Sequence, residues 1–344
     1  MLPEPSDDAD GEGTVSPRRA VVLGSGGVLG FAWMVGALAA LESEAGFDVR
    51  TVQHLVGTSA GSLAAALLAC GASVDEIRRH HQGVPAPTDP PIAFDYSAGN
   101  SRALPRPRLL PGSPRLILGA VRHPRQARAA VTLAGVLPAG RGTLEPVRRL
   151  VAELAASNGF DSCWPGRPQT WVVATDYRSG KRVVFGRDRE VALADAVVAS
   201  CAIPAWYPPT VIDGRPYIDG GAVSNTSVDL LAGAHLDEVY VLAPMASIDL
   251  DRPRSPVSRI ERALRRAITR SLVADVASLR AFGMRVVLVT PGPADLAVIG
   301  TNLMNPRRRT EVLESAMRTT AIQLRAELAT RPARVRRASG QSLG

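Results

Sequence analysis

The stretch Leu55-Val-Gly-Thr-Ser-Ala-Gly-Ser62 places one serine, Ser59, between Gly57 and Gly61, where an apolar run meets an alanine-rich segment. "VQHLVGT" reads as a buried strand and "AGSLAAALLAC" as the helix that follows it. A sharp strand-to-helix turn holds a serine in a strained backbone state, and the flanking glycines let chain and substrate approach closely. The serine then stands at a helix N-terminus, where the dipole favours developing negative charge. Gly, Ser and Ala are common in this chain, so the pattern alone fits an ordinary turn as well as a nucleophile.

A second glycine turn lies upstream. "RAVVLGSGG" is a short apolar run that turns into the helix "VLGFAWMVGALAALESE", so "GSGGVLG", from Gly24 to Gly30, opens a helix. Successive backbone N–H groups there converge on an anion. Three readings stand: a dinucleotide loop, an oxyanion hole, or a tight turn that binds nothing. A dinucleotide fingerprint puts its third glycine where this chain has Leu29, and its ribose-binding acid would be Glu42 or Glu44, late in the first helix.

If Ser59 is a nucleophile it needs a base, and the histidines are poorly placed. His54 precedes the serine's own strand, His80 and His81 sit on a polar helix, His123 lies in an arginine-rich stretch, and His235 falls in a surface loop after a helix. Asp219, followed by Gly220 and Gly221 at the end of "RPYIDGG", is better placed, although an Asp-Gly pair is by itself only a turn signal. A Ser-His-Asp hydrolase would use Ser59, Asp176 and His235 in that chain order. That alternative leaves "GSGG" and "DGG" without a role.

Continuous apolar strands alternate with helices along the chain. This pattern predicts a mostly parallel central sheet with helices on both faces, a three-layer α/β/α architecture whose ligands sit at the carboxyl ends of the strands. "TWVVATD" and "KRVVFG" read as strands joined by "YRSG", "TVIDGRPYIDGG" as paired short strands, and "SVDLLAGA" as a helix. "VSRIERALRRAITRSLVADVASLRAF" reads as a long amphipathic helix, and "RRTEVLESAMRTTAIQLRAEL" as the last one. The expected organisation is a disordered segment 1–17, a hydrolase domain 18–330 with a basic Pro/Gly/Arg-rich insertion at about 83–142, and a disordered basic tail 331–344.

The 344 residues are 46% hydrophobic and 21% charged, which is ordinary globular composition. No run reaches the ~18 consecutive apolar residues of a membrane span, and the acidic start has no signal-peptide core. The three cysteines have no metal spacing, so neither metal nor cofactor is expected, and a reduced cytoplasmic compartment is the default. Net charge is +8, carried almost wholly by arginine, with Lys181 the one lysine. Aromatic residues at 4% leave little for base stacking, so nucleic acid is not an expected partner. Between residues 101 and 149, ten arginines face a single acid, Glu145, around the apolar "LLPGSPRLILGAV". That region is a candidate for peripheral contact with anionic membrane, as a flap over the site.

"VVLGSGG" before a helix, "GTSAGS" some thirty residues on and "DGG" far downstream resemble the patatin-like phospholipase family. The stretches "ASCAIPAWYPP", "YIDGGAVSNTSVDLLAGA" and "VYVLAP" are similar to its bacterial members. The resemblance covers roughly Ala20 to Ile77 and Thr170 to Leu328. It implies a patatin-like fold and a lipid acyl hydrolase or esterase with a Ser–Asp dyad. Ser59 would be the nucleophile, Asp219 the proton acceptor, and the Gly26 and Gly27 amides the oxyanion hole. Lipid or ester would be the substrate. A non-catalytic lipid-binding protein of the same fold is the further alternative. One position departs from the pattern: Leu29 stands where the family usually carries Arg or Lys.

Overall fold

The computed structural model describes residues 17–90, 92, 112–114, 116–118, 129–160 and 164–329. The segments expected to be disordered at either end, and most of the 101–149 arginine cluster, lie outside the described residues. Eight strands form one mixed sheet: β1 (Arg19–Leu23), β2 (His54–Thr58), β3 (Gln169–Asp176), β4 (Arg182–Phe185), β5 (Thr210–Ile212), β6 (Arg215–Asp219), β7 (Glu238–Leu242) and β8 (Arg285–Val289). Followed from partner to hydrogen-bonded partner, the strands connect as β5-β6-β3-β2-β1-β7-β8, with β4 also paired to β3. Strands β3, β2, β1, β7 and β8 run parallel, and β4, β5 and β6 pair antiparallel.

The helices among the described residues are α1 (Gly27–Ala45), α2 (Ala60–Ala69), α3 (Val74–Gln82), α4 (Ala129–Val136), α5 (Glu145–Ser157), α6 (Leu193–Ser200), α7 (Pro256–Ala281), α8 (Pro293–Ile299) and α9 (Arg309–Ala329). Both faces of the sheet are covered, as the unbroken apolar strands require. Side chains alternate between two cores with the period of two that a strand imposes. From β1, Val21 and Leu23 enter the core made with α1, α2 and α9, while Ala20 and Val22 enter the one made with α7. Although α1 is long and apolar enough to cross a membrane, Trp33, Met34 and Leu41 on it are fully buried in the first core. A Cβ on Gly36 would lie 2.3 Å from the Leu313 carbonyl oxygen, so glycine there lets α1 and α9 cross closely.

Two local readings are corrected, and one short helix is added to those read from the sequence. "SVDLLAGA" forms only a single 3-10 turn, Val228–Leu231. The short helix α8 follows "TPGP", where Pro293 opens it and Asp295 accepts the Gly292 N–H. His81 is not on a solvated face. It is buried beside Phe31 at a ring separation of 5.6 Å, and burial pulls its pKa down to about 3.

Candidate active site

Sheet register brings Ser59 and Asp219 together. Strand β3 is flanked by β4 on one edge, over residues 172–175. Its other edge is shared end to end. β2 runs parallel to it as far as the pair Thr58–Val173, and β6 runs antiparallel to it as far as the pair Asp219–Ala174. Two strands approaching from opposite directions therefore end at adjacent positions of one neighbour. The residue after β2 is Ser59, and the last residue of β6 is Asp219. Gly220 keeps this junction tight, since a Cβ there would lie 2.3 Å from the Val173 carbonyl oxygen and 3.1 Å from Thr58 Cγ2.

Ser59 has φ 55° and ψ −123°, a left-handed conformation that a side-chain-bearing residue adopts at a cost of about 1–3 kcal/mol. Packing enforces it. A Cβ on Gly61 would lie 2.0 Å from the Leu23 carbonyl oxygen, and one on Gly57 would lie 2.5 Å from Ser62 Cα. The turn is also pinned by hydrogen bonds. The Ser59 N–H donates to Ser200 Oγ at 2.8 Å, and Ser200 Oγ donates to the Val173 carbonyl at 2.6 Å. Ser62 Oγ donates to the Ser59 carbonyl at 2.7 Å. Ser200, at the end of α6, lies inside "ASCAIPAWYPP" but carries no sequence signal of its own. A serine ending a helix looks the same whether or not it braces a turn 141 positions away.

The Asp219 carboxyl is 6% exposed and the Ser59 side 3%. Burial raises the Asp219 pKa to about 6, while hydrogen bonding from the Ser59 hydroxyl and the Gly221 N–H pulls against that rise. The Gly221 N–H to Asp219 Oδ1 distance is 2.7 Å. A carboxyl at about 6 is a far better proton acceptor than one at 3.8, yet remains ionised at neutral pH. Cys201, also buried here, has its thiol pushed up to about 12 by burial and by the Asp219 charge, so it stays protonated.

The Gly24–Gly30 turn closes the third side. The Gly24 N–H donates to the Leu242 carbonyl, Ser25 N–H to the Asn225 carbonyl, and Leu29 N–H to the Leu303 carbonyl. Among the described residues, the Gly26 and Gly27 amides donate to no protein acceptor. Gly27 has φ 61°, a conformation that favours glycine. A Cβ on Gly221 would lie 3.3 Å from Ser25 Oγ, and one on Gly61 would lie 2.8 Å from the Gly24 carbonyl oxygen. The loop is thus against both the Asp219 turn and the start of α2. Behind it stands Pro244, whose Cγ would be 2.9 Å from a Cβ on Gly26. The fully buried Arg265 of α7 donates from Nη1 to the Pro244 carbonyl at 2.6 Å, which fixes that wall. Leu29 is fully buried and brings no charge to the site.

The residues of the Ser-His-Asp alternative are scattered. Asp176 Oδ1 is occupied by the Arg178 and Ser179 N–H groups in the turn after β3. His235 precedes the N-terminal end of β7, at the opposite end of the parallel strands from Ser59. His54 sits at the start of β2 and packs against Trp171, with the rings tilted and their centroids 4.8 Å apart. A cavity of about 500 Å³ lies between Ser113, Tyr177 and Val211 and includes neither Ser59 nor Asp219. No cluster of His, Cys, Asp and Glu suited to a metal occurs among the described residues.

Residues 21–232 match the family described as patatin-like phospholipase. The chain belongs to that family. It is 29% identical over 225 residues to an uncharacterized NTE family protein of Mycobacterium bovis and to two sequences of the same description from Mycobacterium tuberculosis. The match covers 65% of this chain and 48% of each relative, so the chain spans about half the length of the curated relatives it matches. The crystal structure of VipD from Legionella pneumophila aligns over 90% of this chain and 67% of its own, at 14% identity and a TM-score of 0.42, a loose likeness. The three-layer α/β/α architecture expected from the strand pattern is present, and the patatin-like fold that the resemblance implied is that of the family matched over residues 21–232.

Proposed function

We propose that the chain is a lipid acyl hydrolase that works through an acyl-Ser59 intermediate with Asp219 as its base. The observation that carries this reading is the end-to-end meeting of β2 and β6, which sets a strained serine against a buried carboxyl of raised pKa. Ser59 Oγ attacks the ester carbonyl carbon while its proton passes to Asp219. The carbonyl oxygen gains the negative charge and is met by the Gly26 and Gly27 amides and the N-terminus of α2, with each amide donor contributing about 3–4 kcal/mol at such a centre. Collapse breaks the bond to the leaving alcohol, which takes the proton back from Asp219 and departs. Water then attacks the acyl-serine, again giving a proton to Asp219, and the fatty acid leaves as Ser59 Oγ recovers that proton.

Membership in a patatin-like phospholipase family supports lipid chemistry. Because Leu29 offers no cation to a phosphate, the substrate is named by its reacting group, a lipid carboxylic ester, rather than by its headgroup. A panel of diacyl phospholipid, lysophospholipid and glyceride, scored by released fatty acid, tests the proposal. Wild type should release fatty acid from at least one class, and Ser59→Ala and Asp219→Asn should not. Undiminished release by folded Ser59→Ala would overturn it.

A further inference from the structure

Helix α7 follows β7 and returns antiparallel to it before β8 begins, so its first turns lie at the carboxyl end of the parallel strands, the end that carries Ser59. Contact confirms the placement, since Arg265 on α7 holds the Pro244 carbonyl behind the Gly26 turn. The helix is seated by Arg262, Arg265, Leu272, Val276 and Leu279, all buried. Its opposite side is built in two stripes. At ~100° per residue, Val257, Ile260 and Leu264 fall within an arc of ~60°. They are 64%, 72% and 53% exposed, and together they make one contiguous apolar stripe. Arg259, Arg266 and Arg270 fall within a second arc of ~40°, with the exposed alanines 263 and 267 between the stripes. All three arginines are exposed and make no ion pair among the described residues.

The loop before α7 repeats the combination. Ile248 is 60% exposed, and Arg252 and Arg254 are exposed and likewise unpaired among the described residues. Of the neighbouring acids, Asp249 is exposed and offsets one of these five charges, and the other two are engaged beneath the helix. Asp251 is paired to Arg262, and Glu261 is paired to both Arg262 and Arg265. A solvated helix face does not need apolar side chains of this size, and a protein partner read by hydrophobic contact alone does not need five unpaired arginines. Apolar side chains that insert, flanked by arginines that reach phosphate, are the arrangement that binds an anionic bilayer surface.

We propose that the loop 248–255 and the first turns of α7 form an interfacial docking surface for anionic lipid, which holds the mouth of the Ser59 site against the bilayer. This rests on the proposed lipid hydrolase reading for its purpose and not for its physics. It is a separate surface from the 101–149 region, most of which lies outside the described residues.

The test uses the full chain and vesicles of phosphatidylcholine alone or with about 30% phosphatidylglycerol. Wild type should co-sediment with the anionic vesicles, and less so as salt is raised. Ile260→Asp with Leu264→Ser, and separately Arg259→Gln, Arg266→Gln and Arg270→Gln together, should each weaken partitioning by about tenfold or more, since each arginine near headgroups acts with a several-fold effect. Turnover of a soluble short-chain ester should be unchanged in both variants, which also reports that they fold. Lipid hydrolysis in anionic vesicles should fall in step with binding. Wild type that ignores anionic vesicles, or variants that bind as well as wild type, would overturn the proposal. So would a wild-type dimer that Ile260→Asp converts to monomer, because the face would then be a subunit interface. Vesicle binding that depends on α7 without any ester turnover would instead retain the docking surface and remove the hydrolase reading.

Discussion

Replacing Asp219 with asparagine should abolish turnover and yet stabilise the fold at alkaline pH. Burial lifts the Asp219 carboxyl from 3.8 to about 6. An acid whose folded pKa exceeds its unfolded value binds protons more tightly when folded. Its contribution to stability is complete below about pH 3.8 and is lost as pH rises through about 6. At 1.36 kcal/mol per tenfold change in proton affinity, the ionised carboxylate costs the folded state about 3 kcal/mol at pH 8. Asparagine removes that cost and keeps an oxygen to accept the Gly221 N–H. Unfolding a chain of this size carries an entropy of roughly 0.7 kcal/mol/K, so the substitution should raise Tm by about 4 °C at pH 8. At pH 4 the wild-type carboxyl is protonated and the gap should close. Calorimetric unfolding of both proteins at the two pH values measures this directly. The same titration should give wild-type kcat/KM an acid limb near pH 6, because the base must be ionised to act. An Asp219→Asn protein less stable than wild type at pH 8, or a gap that does not change with pH, would mean that the carboxylate is not desolvated. The base assignment would then lose its physical ground.

Three further substitutions probe the rest of the site. Gly26→Ala puts a Cβ 2.7 Å from Gly30 Cα and 2.9 Å from Pro244 Cγ, so the turn must move and kcat for a soluble ester should fall by ~10²–10³. Normal turnover would show that the amides of this turn do not meet the reacting oxygen. Ser200→Ala leaves the buried Ser59 N–H without its acceptor, at a cost of about 1–3 kcal/mol, and chemical denaturation should read that loss together with a lowered kcat. His235→Ala should leave ester turnover within about twofold of wild type, because His235 lies at the other end of the sheet. A large loss would return the base to a histidine.

The site was legible in the sequence where local backbone chemistry specifies it. Glycines at strand ends mark the turns at Gly24–Gly30, Gly57–Gly61 and Gly220–Gly221, because the need for glycine is local to each turn even where the atoms packed against it come from distant positions. The alternation of apolar strands and helices gave the layered architecture for the same reason. What the sequence did not carry was long-range. Nothing in "TVIDGRPYIDGG" says that its second strand will meet β2 head to head along β3, although that register is what sets Asp219 beside Ser59. The Ser200 brace spans 141 positions, and the Arg265 link to Pro244 sits inside what reads as an amphipathic surface helix. His81 misled because its helix is polar, while its own ring is turned inward against Phe31.

The central claim is that Ser59 is the atom that takes the acyl group, and a covalent probe tests it without assuming a substrate. A fluorophosphonate should label the wild-type chain once, and mass spectrometry of the digest should place the phosphonyl group on the peptide containing Ser59. Ser59→Ala should remain unlabelled while retaining a cooperative unfolding transition. Labelling of folded Ser59→Ala at the wild-type rate, or an adduct mapped to any other serine, would contradict the account.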